Sequence, residues 1–380
     1  VSELRPGAWL VDAVVDRGLL PDPLLRRVIR RLLRQRHAAI TRGSVEDRGQ
    51  RQRELLAALS AAPVAVDTDQ ANEQHYEVPT ALFELLLGPR LKYSSAWWPP
   101  GVTTLAQAEE AMLALTCDRA QLADGQDVLE LGCGWGSLSL WMAERYPRSH
   151  ITAVSNSATQ RAHIERQAAR QGLGNLTVLT ADVNRLGTGA GADGADGVHA
   201  ELVHDAAFDR VVSVEMFEHV RNHRVLTERI ARWLRPGGKL FVHVFAHHTD
   251  GYPFETGGDA DWMARHFFTG GLMPSHDLLL LSVHELSIED RWAVSGLHYA
   301  RTLRAWLDQL DAHRDRVVEV FAEHGGPVPP LASFHRWRVF TIACEELFRA
   351  AGGDRWHVSH YRFVRPSQGP RRPATGGPRA

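Results

Sequence analysis

The residues with the clearest chemical meaning lie in Val128-Leu-Glu-Leu-Gly-Cys-Gly-Trp-Gly136, where Gly132, Gly134 and Gly136 fall at alternate positions just after an acid, Glu130. A short apolar run ending in such glycines reads as a buried strand turning into a helix, because backbone without β-carbons can turn sharply and approach a ligand closely. The spacing is GxGxG, not the GxGxxG with which dinucleotide folds face a pyrophosphate. An acid ahead of the glycines suits a cationic amino group instead. Further along, Ser155-Asn156-Ser157 with Gln160 one turn on offers hydrogen bonds to hydroxyls or to an amino-acid moiety, and Ala181-Asp182-Val183 offers a carboxylate to an adenine amino group. Amino acid, ribose and adenine recognised in chain order describe S-adenosylmethionine, a methyl donor with no phosphate. The alternative is a glycine turn that holds no ligand.

A second cluster, Ser213-Val-Glu-Met-Phe-Glu-His219, ends a later strand. In an open α/β sheet that end faces the ligand crevice. Methyl transfer is an in-line displacement by a nucleophile with a free lone pair, so the protein mainly supplies orientation and dryness. An amine, protonated at neutral pH, must first lose a proton. His219, with an unperturbed pKa of about 6.5, is placed to accept it together with Glu218. Alternatively, Glu218 and His219 simply open the next helix, the carboxylate favouring its N-terminus.

The elements that must position these groups form a regular alternation. Strands are expected at Asp127–Leu131, Ile151–Val154, Leu176–Ala181, Phe208–Val214 and Lys239–Val244, with helices at Leu138–Arg145, Thr159–Gln171 and Arg224–Leu234. Repeated βα units make a parallel sheet covered on both faces. Ahead of them, residues 8–60 read as helices, the arginine-rich run Arg26–Arg36 as a solvated helix face. Leu82–Leu87 reads as a short helix, and Thr104 caps a longer one. Beyond the sheet, Asp250–Ser275 resembles a lid, Leu278–Ile288 and Trp356–Phe363 are expected to be strands, and the residues from Pro366 read as a disordered tail. The glycine-rich stretch 187–207 reads as a low-complexity surface loop.

Composition narrows the partners. The 380 residues are 44% apolar, enough for a full core, and the formal net charge of −2 gives no global attraction for nucleic acid or anionic lipid. Nearly all basic residues are arginine, Lys92 and Lys239 being the only lysines, which points to a GC-rich bacterial genome. Three scattered cysteines, Cys117, Cys133 and Cys344, suit a reducing cytoplasm. No segment reaches the roughly 18 apolar residues of a spanning helix, so neither membrane insertion nor a nucleic-acid partner is expected. A homodimer is left open. His243, His247 and His248 lack the spacing of a metal site, and no metal is expected.

Seven segments carry a resemblance: His75-Tyr-Glu-Val-Pro79, Leu91-Lys-Tyr-Ser-Ser95, Leu129–Leu138, Val154–Ser157, Ser213–His219, His266-Phe-Phe-Thr-Gly-Gly-Leu-Met-Pro274 and Gly296-Leu-His-Tyr-Ala-Arg-Thr302. Over roughly residues 67–365 the chain resembles the cyclopropane-fatty-acid synthase superfamily of methyltransferases, and within it the benzylisoquinoline (coclaurine) N-methyltransferase group. The resemblance implies a Rossmann-like fold with a mostly parallel seven-stranded sheet, helices on both faces, an N-terminal helical extension and a helical lid. It divides the chain into an N-terminal helical region (1–66), a helical cap touching cofactor and substrate (67–125), the S-adenosylmethionine-binding core (126–246), a lid with the final strands (247–365) and the tail (366–380).

The resemblance implies further that Tyr93 and Ser94 touch the cofactor, that Glu215, Glu218 and His219 lie beside a substrate nitrogen, and that Glu77 borders the same cavity. Glu215 and Glu77 then attract the ammonium form. Phe267, Trp292, His298, Tyr299 and Trp337 are implied candidates for the pocket lining. Lipid cyclopropane synthases have Tyr-Ser-Cys where this chain has Tyr93-Ser94-Ser95, and glycine in place of Glu215; their cysteine helps to hold a bicarbonate base. The expected activity is therefore N-methylation of a small aromatic or heterocyclic amine. Fatty-acyl phospholipid methylation or cyclopropanation is the alternative, and cofactor binding without turnover a third.

Overall fold

The computed structural model describes residues 6–65, 79–187, 202–254, 262–267 and 270–367. Seven strands form one sheet: β1 (Asp127–Leu131), β2 (His150–Ser155), β3 (Leu176–Thr180), β4 (Phe208–Val214), β5 (Leu234–His247), β6 (Ser287–Val294) and β7 (Trp356–Val364). Their order is β3-β2-β1-β4-β5-β7-β6. The first five are parallel, and β7 and β6 add on antiparallel. β1 and β4 lie side by side in register Leu131↔Ser213, so the glycine turn and the Glu215 turn leave the same edge of the sheet. Strand order reverses between them, which is where open α/β sheets bind ligands.

The apolar runs of β1, β2 and β4 are buried on both faces, as parallel strands between helix layers require. Helices α6 (Ser137–Arg145) and α7 (Ala158–Gln171) follow β1 and β2, and α8 (His223–Trp233) precedes β5. The Arg235-Pro-Gly-Gly238 turn is a break inside β5: register jumps from Phe208↔Leu234 to Arg210↔Lys239. One expected strand is corrected. Leu278–Ser282 is a helical turn, with Ser282 Oγ bonded to the Leu278 carbonyl at 2.8 Å, and pairing begins only at Ser287. Four leucines in a row carry no period, and β6 lacks a clear apolar face because it is a largely exposed edge strand.

A helical cap stands over this edge of the sheet. It comprises α4 (Thr80–Leu86), α11 (Gly296–Ala312), α12 (Arg314–His324) and α13 (Pro330–Arg349), with α1 (Pro6–Asp16) and α2 (Asp22–Ile40) docked on α13; α3 (Val45–Ala61) lies against α8. α5 (Leu105–Arg119) carries the expected Thr104 cap as a full box with Gln107. The two remaining short helices are α9 (Trp262–His266) and α10 (Leu278–Ser282). The arginine-rich face of α2 is more than solvated: Arg26 reaches Glu345 at 2.7 Å and Glu346 at 2.6 Å, and Arg30 reaches Glu346 at 2.6 Å. Both glutamates are buried, Glu345 is also paired by Arg349 at 2.9 Å, and without its arginines Glu346 would be left an uncompensated charge. Among the described residues no helix is long and apolar enough to cross a membrane. The expected loop (187–207) and tail (366–380) lie mostly outside the described residues.

Candidate active site

The glycine turn frames two adjoining hollows that share Gly132, Gly134 and Gln160. Gly132 (φ +78°) could not carry a side chain, because a β-carbon there would meet the Met216 side chain at 2.7 Å. A β-carbon on Gly134 (φ +53°) would meet nothing within 4 Å, so its backbone faces open space. Gly136 starts α6 from a left-handed conformation. The first hollow is lined by Tyr93, Ser94 and Glu130. Glu130 is buried and bonded by Ser139 Oγ, and burial raises its pKa to about 8 against the pull of Ser139 and Lys92. Such an acid gains most from a ligand ammonium. Gln160 accepts from Ser155 Oγ at 2.7 Å, while its buried Nε2 has no protein partner among the described residues. The second hollow is lined by Asn156, Asp182, Val183, Met216 and His219. Asp182 Oδ1 accepts from the Asn184 amide at 2.8 Å, which fixes the turn after β3. A starved acid, an unpartnered amide and bare backbone fit the amino-acid and adenosine ends of S-adenosylmethionine.

Beside the first hollow, Glu215 occupies a left-handed turn (φ +48°) at the end of β4, a conformation rare for side-chain-bearing residues. Three donors hold its carboxylate: the Ser95 amide at 2.9 Å and His243 Nε2 at 3.1 Å on Oε1, and the Tyr299 hydroxyl at 2.6 Å on Oε2. Burial pushes its pKa up, while Lys92, Ser95, Tyr299 and His219 oppose the rise. Lys92 is buried too, donates to Ser94 Oγ and to the Ser95 carbonyl at 2.8 Å, and has a pKa lowered to about 8. Glu218 turns inward. It is 2% exposed, its Oε2 has no partner among the described residues, and burial with the Glu215 charge raises its pKa well above the carboxylate range. His219 closes the same 3₁₀ turn, Phe217–His219, on the Asp182 side.

The remaining expected residues separate. Tyr299 is in the cluster. Trp337 and Phe267 belong to an aromatic wall with Phe83 and Phe340, with Trp337 5.9 Å edge-on to Phe83, which in turn lies 5.1 Å from Trp135 of the glycine turn. His298 is committed elsewhere, its Nδ1 accepting from the Trp98 amide at 3.0 Å. Trp292 sits on edge strand β6 between the guanidiniums of Arg119 and Arg362, centred 4.8 and 5.3 Å from its ring. Glu77 lies outside the described residues. Sequence reasoning missed Lys92, Ser95 and His243 as parts of the cluster. Two signals were available: Lys92, one of only two lysines in an arginine-rich chain, and a histidine inside the apolar strand Leu240-Phe-Val-His-Val-Phe245.

Comparison with known proteins gives the same reading of the fold. The family model for mycolic acid cyclopropane synthetase matches residues 66–358. The chain is 33% identical to (S)-coclaurine N-methyltransferase of Thalictrum flavum subsp. glaucum, over 92% of this chain and 93% of that protein. Among solved structures, coclaurine N-methyltransferase bound to N-methylheliamine and SAH superposes with a TM-score of 0.84 and 31% identity, covering 93% of this chain and 98% of that one. The cyclopropane synthase MmaA2 from Mycobacterium tuberculosis superposes with a TM-score of 0.63 at 22% identity, over 78% of this chain and 98% of that one, a likeness of fold alone. The cofactor of this family is S-adenosylmethionine. The chain belongs to the mycolic acid cyclopropane synthetase family and is an S-adenosylmethionine-dependent methyltransferase.

Proposed function

We propose that this methyltransferase acts on the nitrogen of a small aromatic or heterocyclic amine. One observation carries the reading: a carboxylate, Glu215, is held by three donors at the edge of the cofactor hollow. An ammonium is drawn to such a charge, whereas a neutral alkene has no use for it. The similarity to an enzyme named for coclaurine N-methylation supports the same choice.

When bound, S-adenosylmethionine supplies the methyl group on a sulfonium that leaves as a neutral thioether. Tyr93, Ser94, Glu130, Gly132, Gly134, Gly136 and Gln160 hold its amino-acid end, and Asn156, Asp182 and Val183 its adenosine. Glu215, with Glu77, draws in the ammonium. Glu218 and His219 take its proton: burial raises the proton affinity of the Glu218 carboxylate, which makes it the stronger base when ionised. Tyr299, Trp337 and Phe267 shape the apolar wall that keeps the site dry. A reducing, cytoplasmic setting suits the three free, buried thiols Cys117, Cys133 and Cys344.

The test supplies methyl-labelled S-adenosylmethionine with a pool of tetrahydroisoquinoline-type amines and a pool of unsaturated phospholipids. Label is expected in an amine. Label in lipid alone would replace this reading with acyl-chain modification and leave the cofactor site as described.

A further inference from the structure

The donor that His243 gives to Glu215 is the inner end of a longer chain. On antiparallel neighbours β5 and β7, His243 and His360 are directly opposite, fully buried, with ring centroids 4.6 Å apart. His360 Nε2 lies 2.9 Å from His243 Nδ1, and Arg119 Nη1, from the last turn of α5, lies 2.8 Å from His360 Nδ1. An arginine can only donate. Its contact therefore makes His360 Nδ1 an acceptor and puts the His360 proton on Nε2. That proton makes His243 Nδ1 an acceptor in turn, and leaves His243 with Nε2–H pointing at Glu215 Oε1. Only one arrangement of protons satisfies all three contacts, and every donor points towards the carboxylate.

We infer that Arg119 and His360 are positioning residues for the methyl-transfer site, locking His243 as a neutral Nε2–H donor to Glu215. The Arg119 guanidinium also lies over the Trp292 ring, 4.8 Å from its centroid. Glu215 is thereby held by a neutral ring, and its negative charge stays available to a cation. A protonated ring would pair with the carboxylate and cancel it.

The surroundings oppose protonation of either ring. Burial, with Lys92 and Arg119 facing them, holds both well below the usual imidazole range. The other groups facing Glu215 are Glu218, His219, Tyr299 and, more weakly, Cys344, while Asp118 and Asp290 face Arg119. No acid other than Glu215 bonds either ring among the described residues.

This inference rests on the amine reading for its kinetic consequence but not for its structural one, and the experiment separates the two. Ring ¹⁵N shifts of histidine-labelled protein, assigned with His360→Gln and His243→Gln, are recorded from about pH 5.5 to about pH 9. Both rings are expected to stay neutral with the proton on Nε2 throughout. A proton on Nδ1 of either ring, or a titration of the pair in that range, would overturn the inference whether or not any amine is a substrate. For kinetics, Arg119→Met keeps an unbranched side chain but removes the donor and the charge, and Arg119→Lys keeps a charged donor. The acid limb of kcat/KM for the amine is expected to move up by about one pH unit in Arg119→Met and to stay in place in Arg119→Lys. A uniform loss at every pH in Arg119→Met would make Arg119 a packing residue only and refute the assignment.

Discussion

In the proposed site two buried carboxyls, each assigned to a cation, are built in opposite ways. Glu130 has one hydroxyl partner and a pKa raised to about 8, so it waits for the charge that completes it. Glu215 is surrounded by three donors before any ligand arrives. Glu130 and its partner Ser139 come from one contiguous stretch, strand, glycine turn and helix. The Glu215 cluster draws Ser95, Glu215, His243 and Tyr299 from four separate segments. A locally built acid is left incomplete and responds to its ligand. An acid assembled at long range is fixed in advance, and fixed dipoles around a charge need no reorganisation during reaction.

The difference is broken most severely by Glu215→Gln. The amide keeps the shape but removes the charge, and its NH₂ faces donors. Losing a buried, bonded charge opposite a cation costs about 2–5 kcal/mol, so kcat/KM for the amine is expected to fall by about 30-fold to about 5,000-fold. The Kd for S-adenosylmethionine, measured by calorimetry, is expected to change little. A comparable loss of cofactor affinity would erase the distinction between the two carboxyls.

Glu130→Gln is the converse, with cofactor Kd weakened by about tenfold to a hundredfold. Its pH signature sharpens the comparison. Because the pKa of Glu130 is raised to about 8, the free protein holds this proton below that pH, and binding an ammonium there must expel it. Cofactor affinity should therefore rise with pH and level off above about 8, with about one proton released per ligand at lower pH. Calorimetry in buffers of different ionisation enthalpy reads that proton directly. In Glu130→Gln the release should vanish.

The same contrast explains what the sequence made legible. The glycine turn, the first five strands and the turns that carry Asn156 and Asp182 follow from local pattern, since strand, turn and helix are consecutive there. The His243–His360 pair depends on β7 inserting antiparallel beside β5, more than a hundred residues away, and no spacing along the chain encodes that. Trp292 shows the limit from the other side. An aromatic near the right motif reads as pocket lining, yet β6 is the sheet edge and carries it to Arg119. Leu278–Ser282 shows a third kind, an apolar run whose period could not choose helix over strand.

The smallest expected effect belongs to Tyr299→Phe. The ring is buried and stacked on Phe348 at 4.3 Å, so the substitution removes the hydroxyl and leaves the packing. Its 2.6 Å bond to Oε2 favours ionised Glu215; without it the carboxyl holds its proton to higher pH. One lost hydrogen bond to a charged group, with two donors remaining, corresponds to about 1.5 kcal/mol, or about tenfold in kcat/KM near neutral pH. The loss should shrink as pH rises, because ionised Glu215 is recovered there, and it should deepen as pH falls. A loss equal at all pH values would mean that Tyr299 acts on the substrate and not through Glu215, and the fixed acid would then have one fewer support than the distances assign to it.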